Sequence, residues 1–230
     1  MVADNVEDIR RRIARACEKT GRSPSEVTLV AVSKTFSAER IKDAVACGVH
    51  DVGENYVQEL LAKRELLSGL DIRWHFIGHL QSNKPRYLVD WVHLIHAVDN
   101  VGVVKEIDKR AAGRMVDVLI EVNVSGETTK FGVSPDRAEE LVASLSPYRN
   151  IRVCGLMTMS PFLPNPESSR PWYRQLRILK DKLAAMNQKN VEMRHLSMGM
   201  TGDFEVAIEE GATIVRLGTA IFGARKRNEA

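Results

Sequence analysis

Apolar residues in this chain gather into short runs of strand length. Between the runs they recur at helical spacing. Leu29–Ser33, Arg73–Gly78, Val92–Ala97, Val116–Val124, Val153–Met159, Met193–Met198 and Thr213–Leu217 read as strands, and the weaker His50–Gly53 makes an eighth. The intervening stretches read as helices over Ala38–Cys47, Asn55–Leu67, Gln81–Val89, Asn100–Ala112, Trp172–Asn187 and Asp203–Glu210. Asn55 serves as the capping residue of its stretch. Ser134 followed by Pro135 marks the start of another helix, with Leu141, Val142 and Leu145 on its apolar side. Gly211 is a C-terminal cap, and Val6–Thr20 forms an additional helix before the first strand.

Strand–helix alternation repeated eight times implies right-handed crossovers and a parallel sheet. Eight units in about 200 residues match a closed (β/α)8 TIM barrel, with a doubly wound open sheet as the structural alternative. No internal repeat or shift in composition marks a boundary, so residues 1–230 are expected to form a single barrel domain with an N-terminal helix. The segment Ser160–Pro171 holds four of the eight prolines. It reads as an irregular surface loop, or else as a lid over residues 160–171 at the barrel mouth.

Composition narrows the classes. Of 230 residues, 44% are hydrophobic and 27% charged, as in an ordinary globular protein. The net charge of +3 gives no reason to expect nucleic acid as a partner. The basic groups Lys84-Pro85-Arg86 and Arg225-Lys226-Arg227 read as solvated. Cys17, Cys47 and Cys154 are widely separated, which fits a reducing compartment. The start lacks an apolar signal core and no apolar run reaches about 18 residues. A cytoplasmic protein with no membrane partner is expected.

In a barrel, sites form at the C-terminal ends of the strands. Those ends offer Lys34, Glu54, Asn55, Gly78, His79, Asn123, Ser125, Thr158, Ser160, Ser197, Gly199, Arg216, Gly218 and Thr219. Lys34 directly follows an apolar strand. Partial desolvation there would favour the neutral amine that forms Schiff bases, while the bland alternative is a surface lysine. Ser197-Met198-Gly199-Met200-Thr201-Gly202-Asp203 and Leu217-Gly218-Thr219-Ala220 are small-residue turns before helices, which can turn backbone N–H groups toward an anion. Arg216 shares a strand face with Ile214 and Gly218 and needs a partner. Glu121 is the expected ion-pair partner, and a bound heterocycle or anion is the alternative. The histidines lack HExxH spacing and the cysteines form no cluster, so no metal site is expected. Nucleotide-binding loops of the GxGxxG and GxxxxGK[ST] kinds are missing.

Several longer motifs share one resemblance. Ala31-Val32-Ser33-Lys34, Gly53-Glu54-Asn55-Tyr56-Val57-Gln58-Glu59, Trp74 through Lys84, Lys130-Phe131-Gly132, Gly155-Leu156-Met157, Leu196 through Met200 and Arg216 through Gly223 resemble the YggS/PROSC family of pyridoxal phosphate homeostasis proteins along nearly the whole chain. The resemblance implies a barrel like the N-terminal domain of alanine racemase. It implies pyridoxal 5'-phosphate (PLP) held as an internal aldimine on Lys34. Ser197, Gly199, Met200, Thr201, Gly218 and Thr219 would surround the phosphate. Arg216 would lie near the pyridine nitrogen and Asn55 near the ring. The family usually carries serine and an acidic residue where this chain has Thr201 and Gly202, and Thr201 retains the hydroxyl.

The resemblance also implies PLP homeostasis without established turnover, hence no catalytic residue. Alanine racemases add a β-rich domain carrying a tyrosine base, and none of Tyr56, Tyr87, Tyr148 or Tyr173 matches it. The expected partners are PLP, small amines or amino acids and PLP-dependent apoenzymes, with the chain a monomer. Two other readings stand beside this one: a small PLP-dependent amino-acid enzyme of racemase or lyase type, and a regulatory interaction module independent of cofactor.

Overall fold

A computed structural model describes residues 1–161 and 163–224. Strands β1 (Thr28–Val32), β2 (Asp51–Glu54), β3 (Arg73–Phe76), β4 (Leu94–Val98), β5 (Val116–Glu121), β6 (Ile151–Met157), β7 (Val191–Ser197) and β8 (Ile214–Leu217) pair in sequence order. The parallel pairing of β1 with β8 closes the barrel, with Ala31 opposite Leu217. The open-sheet alternative is thereby set aside.

Helices α1 (Val2–Glu18), α2 (Ala38–Ala46), α3 (Val57–Leu66), α4 (Val101–Arg110), α5 (Pro135–Ser144), α6 (Arg170–Ala184), α7 (Phe204–Glu209) and α8 (Thr219–Phe222) cover the outside. The larger apolar cluster lies between these helices and the strands. A smaller one, made by Val30, Leu94, Ala97, Leu119, Cys154, Met157 and Ile214, comes from strands alone and fills the barrel. Strand alternation produces both: one side chain in two faces the helices and the next faces inward.

Helix α1 buries Val2, Val6, Ile9, Ile13, Ala16 and Cys17, which recur every three or four residues and form one face. That face packs on α2, α7 and α8, so α1 covers the seam where the first and last units meet. Arg12 reinforces it with two hydrogen bonds to Glu205 of α7, at 3.1 and 2.7 Å.

Two expected elements differ. The stretch Gln81–Val89 forms only a short 3-10 turn over Pro85–Tyr87. Pro85 lacks an N–H and its ring blocks the carbonyl four residues back, so a helix begun at Gln81 cannot run through it and the short turn starts at the proline itself. Helix α3 begins at Val57 with Tyr56 at its N-cap, so Asn55 is not the capping residue. Of the basic groups, Arg86 is exposed and lies over the Tyr87 ring, while Arg225, Lys226 and Arg227 fall outside the described residues. No helix among the described residues is long and apolar enough to cross a membrane.

Candidate functional site at the barrel mouth

Lys34 leaves β1 half-buried, and the residues around it are held by a buried ionic knot. Lys63 of α3 donates to Glu54 Oε2 at 2.7 Å, to Glu59 Oε2 at 2.8 Å and to the Ser33 carbonyl at 2.8 Å. The Ser33 hydroxyl donates to the same Glu54 oxygen at 3.0 Å, and the N–H of Thr35 donates to Glu59 at 3.1 Å. Glu54 Oε1 accepts the N–H of Asn55 at 2.8 Å. Both neighbours of Lys34 and the backbone of Asn55 are therefore tied to one cluster. The chain after β3 abuts it: a Cβ at Gly78 would stand 2.2 Å from the Asn55 carbonyl oxygen. The Asn55 amide oxygen is buried with no hydrogen-bond partner among the described residues. A buried acceptor without a donor costs about 1–3 kcal/mol, so it marks a place where a ligand donor would be stabilising.

The turns after β7 and β8 meet at this mouth. The Thr219 and Thr201 hydroxyls lie 3.3 Å apart, and the N–H of Ala220 approaches Thr201 Oγ1 at 3.4 Å. Gly218 precedes α8 and packs beside β1, where a Cβ would stand 3.4 Å from the Val32 carbonyl. Closure of β8 on β1 thus puts these turns next to Lys34. Met200 is not free to offer its N–H outward, because Asp203 Oδ1 accepts it at 2.8 Å.

Asp203 also accepts from Ser160 at 2.7 Å, Ser169 at 3.0 Å and Tyr173 at 2.6 Å through Oδ2. This one carboxylate joins both ends of the proline-rich loop to the β7 turn. Burial and the negative Asp203 push the Tyr173 phenol well above its usual range.

Gly199 has φ +94°, and a Cβ there would stand 2.6 Å from Ala207 Cβ and 2.9 Å from Phe204 Cα. Gly199→Ala should destabilise the fold by about 2–4 kcal/mol, since strained backbone and overpacking add. Urea unfolding measures this, and a loss below about 1 kcal/mol would show that the turn relaxes freely.

Arg216 is buried, and the expected ion pair with Glu121 does not form. Its Nη1 donates to the Ser197 hydroxyl and its Nη2 to the Thr158 carbonyl at 2.7 Å. Burial draws the guanidinium below its ordinary value. Ser197 is fully buried, and its oxygen is shared between Arg216 and His96. An anion at this turn would therefore meet the Thr201 and Thr219 hydroxyls and backbone donors, not the Ser197 hydroxyl.

Glu121 ends β5 at 5% exposure, with Oε2 lacking a hydrogen-bond partner among the described residues. Burial, together with Asp99, raises its carboxyl to about 7, and Arg216 only partly offsets this. The neutral acid is favoured in the folded chain. Stability should therefore fall as pH rises from about 4.5 to about 7, where the unfolded chain is ionised and the folded chain is not. Glu121→Gln removes the penalty. Its stability relative to the parent should rise by up to about 3 kcal/mol between pH 4 and pH 8 in urea melts. A gap that is flat across that range would place the carboxyl in contact with solvent.

At the opposite end of the strands, Asp51, His75 and His93 bring three ligand-type atoms within 4.8 Å of one another. Arg73 occupies both Asp51 oxygens, at 2.9 and 2.6 Å, and its positive charge opposes a cation there. Sequence spacing alone did not reveal this group or the Lys63 knot. A lysine on the apolar side of α3, in step with Val57 and Leu60, was the available signal for the knot.

The family model described as alanine racemase, N-terminal domain, matches residues 5–226. The pyridoxal phosphate homeostasis protein of Aquifex aeolicus is 50% identical, covering 97% of this chain and 98% of that protein. The structure of PipY from Synechococcus elongatus with PLP bound is 31% identical with a TM-score of 0.84, covering 97% of this chain and all of that one. Alanine racemase from Corynebacterium glutamicum, at 15% identity and a TM-score of 0.71, shares the fold over the whole of this chain and 62% of its own.

Proposed function

The chain belongs to the pyridoxal phosphate homeostasis family, built on the alanine racemase N-terminal barrel, and from that membership we propose that it binds PLP at the mouth beside Lys34 and holds it in reserve without turning over a substrate. The observation that carries the reading is the convergence at one mouth of a half-buried lysine, hydroxyl-bearing turns and an orphaned buried acceptor. PLP needs an amine for its aldehyde, donors for its phosphate and polar partners around its ring. The residues present fit those needs.

When bound, PLP supplies a reactive aldehyde and an electron-withdrawing ring. Lys34 offers the amine for the covalent link. The Thr201 and Thr219 hydroxyls, with backbone at Gly199, Gly218 and Thr219, would hold the phosphate. Arg216 would face the ring nitrogen and, as a side chain with donors only, would keep that nitrogen from taking a proton. Asn55 would approach the ring or its oxygen, and Ser197 accepts from Arg216 and would orient it from behind. Met200 contributes through its backbone carbonyl, which accepts from Asp203 and Phe204 and shapes the turn.

Small amines or amino acids would free Lys34 and release the cofactor to PLP-dependent apoenzymes, with the chain acting as a monomer in the cytoplasm. A visible spectrum of the purified protein before and after borohydride reduction, with peptide mapping, tests the core of this. Fixation of the cofactor on Lys34 is the expected result. A protein that stays unmodified after incubation with PLP would overturn it.

One observation favours a second reading, a small PLP-dependent amino-acid enzyme. Glu121 is a buried acid that titrates near neutrality on an inward-facing strand end. Solvent deuterium entering the α position of an amino acid, at enzyme-like rates that depend on both Lys34 and Glu121, would establish that reading instead.

A further inference from the structure

Five side chains form a continuous hydrogen-bonded line through the barrel interior. Arg216 Nη1 contacts Ser197 Oγ, which lies 2.9 Å from His96 Nδ1. His96 Nε2 lies 2.9 Å from His75 Nδ1, and His75 Nε2 lies 2.9 Å from Asp51 Oδ1. Asp51 begins β2, so the line runs from the mouth that carries Lys34 to the opposite end of the strands. Ser197 and His96 are fully buried, and His75 is 1% exposed.

Donor chemistry gives the line a direction. Arginine has only donors, so Ser197 Oγ accepts from it. The Ser197 proton then has one acceptor among the described residues, His96 Nδ1. Were His96 protonated at Nδ1 instead, the buried serine proton would have no acceptor, at a cost of about 1–3 kcal/mol. Burial, with the positive charge of the nearby Arg216, holds His96 well below its usual range and therefore neutral. Its proton sits on Nε2 and is donated to His75 Nδ1. His75 in turn donates from Nε2 to Asp51. Burial alone would raise the Asp51 carboxyl, but the hydrogen bonds from His75 and Arg73 outweigh it and keep the group ionised. Arg216 has no carboxylate within 4.0 Å among the described residues. The nearest anion along its hydrogen bonds is Asp51, three side chains away.

We propose that Asp51, at the end of the barrel opposite the site, is a positioning residue that orients Arg216 through His75, His96 and Ser197. Every proton in the line points toward Asp51, so the carboxylate polarises each link and holds the guanidinium at one rotamer. Asp51 touches neither the mouth nor anything bound there. Only the cofactor-loaded part of the test below rests on the reading that the mouth takes PLP.

Long-range 1H–15N NMR of the full cofactor-free chain reads the histidine tautomers directly. His75 and His96 should both be neutral and protonated at Nε2. Protonation of His96 at Nδ1, or a doubly protonated His96, would overturn the proposal without any variant. Asp51→Asn keeps the size and one acceptor but removes the charge. It should shift the His96 and Arg216 side-chain signals, whereas Arg73→Gln should leave the His96 tautomer in place. In the loaded protein Asp51→Asn should change the absorption maximum and weaken PLP binding about tenfold, the loss of roughly one charge-assisted hydrogen bond. An Asp51→Asn protein that melts lower but keeps its His96 and Arg216 signals would also overturn the proposal, because that is the behaviour of a merely structural ion pair. Failure of the parent protein to bind PLP would count against the cofactor reading, and the cofactor-free signals would still decide the relay.

Discussion

Lys34→Ala should abolish borohydride-fixed cofactor on this chain. The link needs a neutral primary amine, and alanine has none. The turns that carry Thr201 and Thr219 remain, so the variant should keep a weaker, noncovalent hold on PLP, reduced at least tenfold. Lys34→Arg separates nucleophile from charge. Arginine restores a cation at the strand end but is never deprotonated in proteins, so it should fail in the same way. Absorption spectra before and after reduction, with intact mass, read both variants. Cofactor still fixed to the same peptide in either one would move the link to another residue. Equal PLP affinity in parent and variants would mean that the phosphate turns alone hold the ligand.

Lys63→Ala carries the largest expected loss of stability. Lys63 is 7% exposed and Glu54 is fully buried. Truncating the lysine leaves a carboxylate with no cation inside the protein, which costs about 3–5 kcal/mol. For a chain of this size each kcal/mol lowers the melting temperature by about 2–4 °C. Calorimetry and urea unfolding measure it. The double variant Glu54→Gln with Lys63→Met should recover much of the loss, because a neutral pair needs no compensating charge. The single variant should also react with PLP more slowly, since the Ser33 carbonyl loses its donor and Glu59, which accepts the Thr35 N–H, loses its cation. A loss below about 1 kcal/mol would mean that water reaches Glu54 easily and that the cluster is not an anchor.

The barrel was legible in the chain because each strand and most helices carry their own periodic signal. Ile9 and Ile13 in α1, Val103, Val104 and Ile107 in α4, and Leu176 and Leu183 in α6 all occupy the buried faces that their spacing predicts. The Gln81–Val89 stretch failed because one proline outweighed its apolar spacing, and the turn it makes is a local effect that propensity undervalued. Lys34 stood out as a lysine directly after an apolar strand, and the turns around Gly199 and Gly218 stood out as small-residue links before helices. Their being neighbours required β8 to close on β1.

Partnerships between distant side chains were not legible. Arg216 and Glu121 had suitable charges and strand positions, yet Arg216 bonds to Ser197 and Thr158. Ser197 had the character of an anion donor, and its hydroxyl is committed to the interior. Asp203 opened a stretch read as a helix, and its side chain instead gathers Ser160, Ser169 and Tyr173.

Hydrophobic periodicity and turn chemistry act over a few residues, so the sequence by itself determined the order of strands and helices, the buried faces and the lysine and turns at the strand ends. Which inward-facing polar groups share a layer depends on strand register and barrel closure, which are set by packing over the whole chain. The Lys63 knot, the burial of Glu121 away from Arg216 and the line from Asp51 to Arg216 were therefore decided only by the tertiary structure.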